Sequence, residues 1–294
     1  MRKQLVKTIE SALLADEKLI LLLGDIGVFG FRNAFAQFPD RVLNIGILED
    51  ATVSLAAGLA KSDLVPVIHT IAPFLVERCY EQIKVDFGYQ ALGGNFISVG
   101  ASYDYAALGC THHCPGDVGI LQYIPGMEIF VPGTSAEFHS LFKSAYSNGK
   151  PSYFRLSEME NSVSHDVQPG KATVLKKGES ATVVVFGPVL DKVMAAVKEI
   201  DVTVIYYTSV SPFDAATLRS NLAKSGKVLM VEPFYSGTMT NKVSEALHGI
   251  PVTIDSVGVP AEFLRAYGKA EDHDVAIGLT EESIMDTLVG IINA

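Results

Sequence analysis

Short apolar runs alternate with stretches of helical apolar spacing along nearly the whole chain, and this alternation restricts the fold more than any other feature. Leu19-Ile20-Leu21-Leu22-Leu23 is apolar at every position, as a strand buried on both faces must be, and it follows a helical pattern over residues 4–15. Helical spacing returns at residues 48–60 and 74–85, and short strand-like runs lie at 65–70, 96–100 and 128–132. Periodicity then lapses between Glu158 and Gly178, where Pro169-Gly170 and Lys176-Lys177-Gly178 read as turns of a linker. Beyond it the pattern restarts with a strand at 181–187, a helix from Asp191, and strands at 202–207, 228–231 and 252–257. Strands apolar on both faces belong to parallel sheets whose crossover helices cover both sides. The expected fold is α/β with two domains, each a mainly parallel sheet flanked by helices: residues 1–160, a linker at 161–177, and residues 178–294.

A chain of 294 residues can bury two such cores. Its hydrophobic fraction of 48% is high for a water-soluble chain, and burial at a subunit interface would absorb the excess. No apolar run reaches the roughly 20 residues needed to cross a bilayer. Met1-Arg2-Lys3-Gln4 leads into an amphipathic segment rather than a signal peptide, so a cytoplasmic protein with no membrane partner is expected. A net charge of -10 argues against nucleic acid as a partner but leaves room for a small anionic ligand. Three cysteines fit a reducing compartment better than a disulfide framework. Cys110-Thr111-His112-His113-Cys114 invites a zinc reading, but structural zinc draws its ligands from two separated pairs, and no second pair exists. No metal ligand is expected in this chain.

Single motifs are ambiguous on their own. Glu49 stands where a strand-like segment meets a small-residue helix; its neighbours suit a helix-capping residue, while an element junction also suits a functional carboxylate. Asp25 in Gly24-Asp25-Ile26-Gly27-Val28-Phe29-Gly30 is either a turn residue or a carboxylate at the carboxyl end of a parallel strand, where ligands of open sheets bind. The glycine spacing is not that of a dinucleotide loop. Phe74 and Tyr80, near Arg78 and Glu81, read as core aromatics or as a cofactor platform. His112 and His113 lie in a polar loop, where histidine is suited to acid or base work.

In their order along the chain, these motifs resemble the pyrimidine-binding and C-terminal domains of the transketolase family of thiamine-diphosphate enzymes. The ordered set is Gly24-Asp25-Ile26; Gly46-Ile47-Leu48-Glu49 with Ala56-Ala57-Gly58-Leu59-Ala60; Ala72-Pro73-Phe74-Leu75 with Arg78 and Glu81-Gln82-Ile83; Thr111-His112; and Ile124-Pro125-Gly126-Met127. Val257-Gly258-Val259-Pro260 and Gly278-Leu279-Thr280-Glu281 continue it in the second domain. Family members also carry Gly-Asp-Gly followed by Asn, which hold the metal at the cofactor's diphosphate. Here the Gly-Asp pairs Gly24-Asp25 and Gly116-Asp117 lack both the third glycine and the Asn. The resemblance therefore implies the second subunit of a split transketolase, working with an N-terminal subunit as α2β2. Thiamine diphosphate, and Mg2+ or Ca2+, would be held mainly by that partner.

The resemblance also implies roles. Glu49 would hydrogen-bond the aminopyrimidine ring, Phe74 would stack on it, Asp25 would lie near the thiazolium, and Arg78 belongs to the same cofactor set. His112 would face the substrate hydroxyls. Arg2, Arg155 and Glu158 are the remaining substrate candidates, and Glu158 stands where the family places a phosphate-binding arginine. Phe29 replaces a serine and Leu108 an aspartate of the family pattern, so a substrate other than a standard sugar phosphate is expected. Related alternatives are the β subunit of a 2-oxoacid dehydrogenase and a deoxyxylulose-phosphate synthase-like subunit; Thr111-His112 and Gly278-Leu279-Thr280 favour transketolase. A non-catalytic subunit that keeps the fold is disfavoured by Glu49, Phe74 and His112.

Overall fold

A computed structural model describes residues 1–294. The strands are β1 (Leu19–Leu23), β2 (Val42–Asn44), β3 (Val65–Ile71), β4 (Gly94–Val99), β5 (Glu128–Phe130), β6 (Pro151–Arg155), β7 (Ala172–Lys176), β8 (Ala181–Phe186), β9 (Val202–Tyr207), β10 (Ser209–Ser211), β11 (Lys227–Tyr235) and β12 (Thr253–Val259). They form two sheets, a seven-stranded one in the order β10-β5-β6-β4-β3-β1-β2 and a five-stranded one in the order β12-β11-β8-β9-β7. All pairings are parallel except β10 with β5 and β7 with β9. The α/β fold with two mainly parallel, helix-flanked sheets is thus the observed one.

Side-chain alternation in β1 shows how the core divides. Leu19, Leu21 and Leu23 face the helices Arg2–Ala15 and Ser135–Ala145, meeting Leu5, Ile9, Phe138 and Phe142. Ile20 and Leu22 face the other way, into a core of 32 buried residues. That core takes Ile68, Phe96 and Tyr153 from the first sheet and Val184, Ile205 and Met230 from the second. The two sheets therefore share one hydrophobic interior. The far face of the second sheet packs on Leu190–Ala196 and Glu281–Asn293 through Val193, Leu229, Ile284 and Leu288.

Three expectations are corrected. Residues 161–177 are not all linker, because β7 lies within them and pairs with β9; its half-buried, mixed composition is that of an edge strand, which local pattern does not separate from a loop. The second half of the chain also returns β10 to the first sheet, so the sheets exchange backbone as well as sharing a core. The helix expected over 74–85 is broken into Ala72–Leu75, Tyr80–Gln82 and a π-helix at Ile83–Tyr89. That break puts Arg78 in a turn, free to point away from the helix axis, and π-helical turns often mark functional sites. No helix is long and apolar enough to cross a membrane.

Candidate active site

The carboxyl ends of the parallel strands of the first sheet carry the candidate residues. Asp25 follows β1, Glu49 follows β2, Phe74 and Arg78 follow β3, Tyr105 and His112 follow β4, and Glu158 follows β6. In spatial order these strands run β2, β1, β3, β4, β6. Four inter-strand steps of about 4.8 Å make a site roughly 19 Å long, with Glu49 at one end and Glu158 at the other.

Asp25 adopts φ 66, a left-handed conformation that aspartate tolerates better than most residues. The Asn44 side chain fixes it there: its Oδ1 accepts from Asp25 N at 3.0 Å and from Gly46 N at 3.2 Å, and its Nδ2 donates to Asp25 Oδ1 at 3.3 Å. One amide thus ties the loop after β1 to the loop that enters the Glu49 helix.

Glu49 is the first residue of the helix Glu49–Lys61 but does not cap it, since no side-chain cap bond closes that end. Its carboxylate is 3% exposed and accepts from Arg78 Nη1 at 2.6 Å. The positive end of the helix dipole also favours a carboxylate here. The Arg78 guanidinium carbon lies over the Phe74 ring, 4.4 Å from its centroid, and Phe74 meets His112 edge-on with ring centroids 5.2 Å apart. Thr111 Oγ1 lies 3.0 Å from His112 Nδ1. Glu49, Arg78, Phe74 and His112 are therefore one contiguous cluster, and Asp25 stands on the adjoining loop without touching it. His113 turns the opposite way, towards His273 of the second domain at 5.5 Å, and burial lowers its pKa. Cys79, beside the cluster, is pushed up to about 12 by burial and then by the Glu49 charge, so it stays an unreactive thiol.

Arg155 requires a correction. It is not beside a substrate but 1% exposed, with Nε donating to Asp117 Oδ2 at 2.8 Å and Nη2 donating to Ser102 Oγ at 2.7 Å and to the Pro233 carbonyl at 3.3 Å. Pro233 belongs to β11, so this guanidinium joins the two sheets. Arg2 and Glu158, by contrast, are exposed and line one cleft of about 370 Å³ with Lys3, Gly100 and Ser157. Beneath Glu158, Asp104 accepts from Ser157 Oγ and from Glu158 N, each at 2.9 Å, and burial pushes its pKa up to about 7. Phe29 and Leu108 are exposed at 80% and 53%.

Sequence reasoning missed Tyr105 and Asp104. Both lie in Tyr103-Asp104-Tyr105, where an acid between two aromatics is the only local signal. No three of the His, Cys, Asp and Glu side chains converge to hold a metal ion.

Two family models span most of the chain: "Transketolase, pyrimidine binding domain" matches residues 1–162, and "Transketolase, C-terminal domain" matches residues 170–284. This chain belongs to the transketolase family. An "Uncharacterized 33.6 kDa protein in fasciation locus" of Rhodococcoides fascians is 36% identical to it, over 96% of this chain and 91% of that one. An apulose-4-phosphate transketolase subunit of Actinobacillus succinogenes is 29% identical, over 87% of this chain and 86% of that one. A solved structure described as "Split gene transketolase, inactive beta4 tetramer" superposes with a TM-score of 0.87 at 26% identity, covering 99% of this chain and 97% of that one. Within this family fold, the cluster of Glu49, Phe74 and His112 falls in the domain matched by the pyrimidine-binding model.

Proposed function

We propose that this chain is the pyrimidine-binding subunit of a two-chain, thiamine-diphosphate-dependent transketolase that moves a two-carbon ketol unit from a ketose to an aldehyde. The observation that carries the reading is the Arg78 guanidinium, which stacks on Phe74 while donating to the buried Glu49 carboxylate. A flat, N–H-bearing cation already fits there, so the same two residues suit an aminopyrimidine ring. When bound, thiamine diphosphate supplies the nucleophilic carbon that the side chains lack.

The protein's part is to orient and polarise. With the cofactor bound, Glu49 would hold a hydrogen bond to a ring nitrogen, and its burial would keep water from competing for that bond. Phe74 would support the ring face, and Arg78, which covers that face here, would have to move off it. Asp25 presents its carboxylate from the neighbouring loop. His112, held by Phe74, Tyr105 and Thr111, can give or take a proton at a substrate hydroxyl.

The partner in this reading is an N-terminal subunit that carries the diphosphate-binding residues with Mg2+ or Ca2+, assembled as α2β2 in the cytoplasm. Ile47, Leu48 and Leu55 on and before the Glu49 helix are exposed, as are Val85 and Tyr89 on the adjacent π-helix. Ser54 Oγ joins these two elements by donating to Asp86 Oδ2 at 2.7 Å. This apolar surface beside Glu49 is what a second subunit would cover. Alone, the chain should be inactive.

The test is to co-purify this chain with one carrying the diphosphate-binding domain and to assay ketol transfer with thiamine diphosphate and Mg2+. The complex should turn over, and Glu49→Gln should lower kcat by about 10²- to 10⁴-fold. Full activity of Glu49→Gln would refute the assigned role.

A further inference from the structure

The second domain grips the loop that carries His112, residues 102–114, at both its neck and its tip. The neck is closed where Cys114 N donates to the Ser102 carbonyl at 2.7 Å. Just inside it, buried Tyr103 and His113 meet the helix Ala270–Ile277. The Tyr103 hydroxyl donates to Asp274 Oδ1 at 2.5 Å, and His273 meets both rings, with centroids 5.4 Å from Tyr103 and 5.5 Å from His113. Asp274 is also paired with Lys192 at 2.6 Å, and Lys192 donates to the Leu279 carbonyl at 3.0 Å, so this helix is tied to the body of its own domain.

At the tip, His112 ends a short 3₁₀ turn, Cys110–His112, that starts from Gly109, whose carbonyl accepts from His112 N at 3.0 Å. Gly109 has φ +76, and a Cβ added there would fall 2.8 Å from the Tyr267 ring, so this ring lies directly on the backbone where the turn begins. Tyr267 belongs to the segment 260–269 between β12 and the helix Ala270–Ile277. Asp272 fixes the end of that segment by accepting from Lys269 N at 2.8 Å. Beside the contact is an open cleft of about 410 Å³ lined by Gly109, Cys110, Phe263, Leu264, Arg265 and Tyr267, which leaves the turn room to shift once the ring is removed.

His112 is thus placed by both domains: Phe74 and Tyr105 of the first flank its ring, and Tyr267 of the second seats its backbone turn. We propose that Tyr267 is a positioning residue, which holds the turn Cys110–His112 so that the His112 ring meets the substrate hydroxyl. Proton transfer tolerates little displacement of the group that performs it, so a shift of the turn by about 1 Å should slow turnover strongly. The contact is one of shape, since the nearest Tyr267 atoms are the ring carbons Cε1 and Cζ, and phenylalanine should therefore serve in its place. Tyr267 is 71% exposed, so its truncation should perturb His112 and leave folding nearly untouched. The proposal rests on the two-chain transketolase reading, in which His112 moves a proton.

The experiment compares Tyr267→Ala and Tyr267→Phe with the wild type in the co-purified complex, using thiamine diphosphate, Mg2+, L-erythrulose as donor, and D-glyceraldehyde or its phosphate ester as acceptor. Tyr267→Ala should lower kcat by about five- to fiftyfold with KM for both substrates nearly unchanged, the pattern of a misplaced catalytic group rather than a lost binding contact. Tyr267→Phe should restore most of the rate. Amide hydrogen exchange on the same complexes, read by mass spectrometry, should be at least about threefold faster over residues 106–113 in Tyr267→Ala, unchanged over residues 70–89, and close to wild type throughout in Tyr267→Phe. A raised KM with kcat intact, equal losses in Tyr267→Ala and Tyr267→Phe, or unchanged exchange over 106–113 would each overturn the proposal while leaving the transketolase reading intact. If the wild-type complex turned over neither acceptor, the transketolase reading would fail, and the exchange result would still decide whether Tyr267 holds the turn.

Discussion

Replacing Arg155 tests whether it is structural, as its burial indicates, or a substrate ligand. Methionine fills much of its aliphatic volume but donates no hydrogen bond, so Arg155→Met leaves Asp117 charged, 0% exposed and short of its counter-ion. The Tyr153 hydroxyl still donates to Asp117 Oδ2 at 2.7 Å and the Ser102 hydroxyl still donates to the Pro233 carbonyl, but Ser102 Oγ loses its donor and that carbonyl loses its second one. Breaking a buried pair from one side costs about 3–5 kcal/mol. At about 2–4 °C per kcal/mol for chains of 150–250 residues, and somewhat less at this length, the melting temperature should fall by roughly 5–15 °C. Removing both charges in Arg155→Met/Asp117→Leu should recover much of that loss, because a buried ion pair and an apolar pair of similar volume are often close in stability. Thermal unfolding by circular dichroism of the wild type, both single variants and the double variant yields the coupling directly. A substrate ligand would instead raise KM and barely move the melting temperature. A shift of less than about 2 °C for Arg155→Met would refute the argument.

Phe74→Ala should weaken thiamine diphosphate binding in the two-chain complex by about two- to tenfold, from the loss of one stacked ring, as read by fluorescence titration. Unchanged affinity would remove Phe74 from the cofactor site. His69 is 1% exposed, its Nδ1 lies 2.9 Å from the Ile97 carbonyl, and burial pushes its pKa down to about 4. The unfolded chain therefore binds the extra proton between about pH 6.5 and 4, so stability rises with pH across that window, by about 3 kcal/mol in total. His69→Gln removes this slope; the stability advantage of the wild type over the variant should shrink by about that amount from pH 7 to 4, and parallel urea-denaturation curves at the two pH values would contradict it. At Gly100, where φ is +75, an added Cβ would fall 2.5 Å from the Tyr105 ring, so Gly100→Ala should displace Tyr105 and cost about 1–3 kcal/mol, measured by thermal melts; a neutral effect would mean that the ring packs more loosely than this approach requires.

Apolar pattern determined most of the architecture. β1, β4, β8 and β9 are buried at every position, and a run apolar on both faces has few alternatives to a central parallel strand. Three of the four edge strands escaped that logic: β2 and β10 have three residues each, and β7 is only half-buried, so they carry too little apolar signal to stand out from loops. The order of motifs named Glu49, Phe74, Arg78 and His112, but not their adjacency. Whether Glu49 capped its helix or met Arg78 depended on a broken helix 29 residues away. Whether Arg155 met a ligand or Asp117 depended on a partner 38 residues earlier and a carbonyl in the other sheet. Local sequence records which residues prefer burial and where the chain turns, because those preferences act over a few residues. The pairing of a buried charge is decided only when strand order brings distant segments together, and for that reason the sequence could name these side chains while only the fold could say what each one holds.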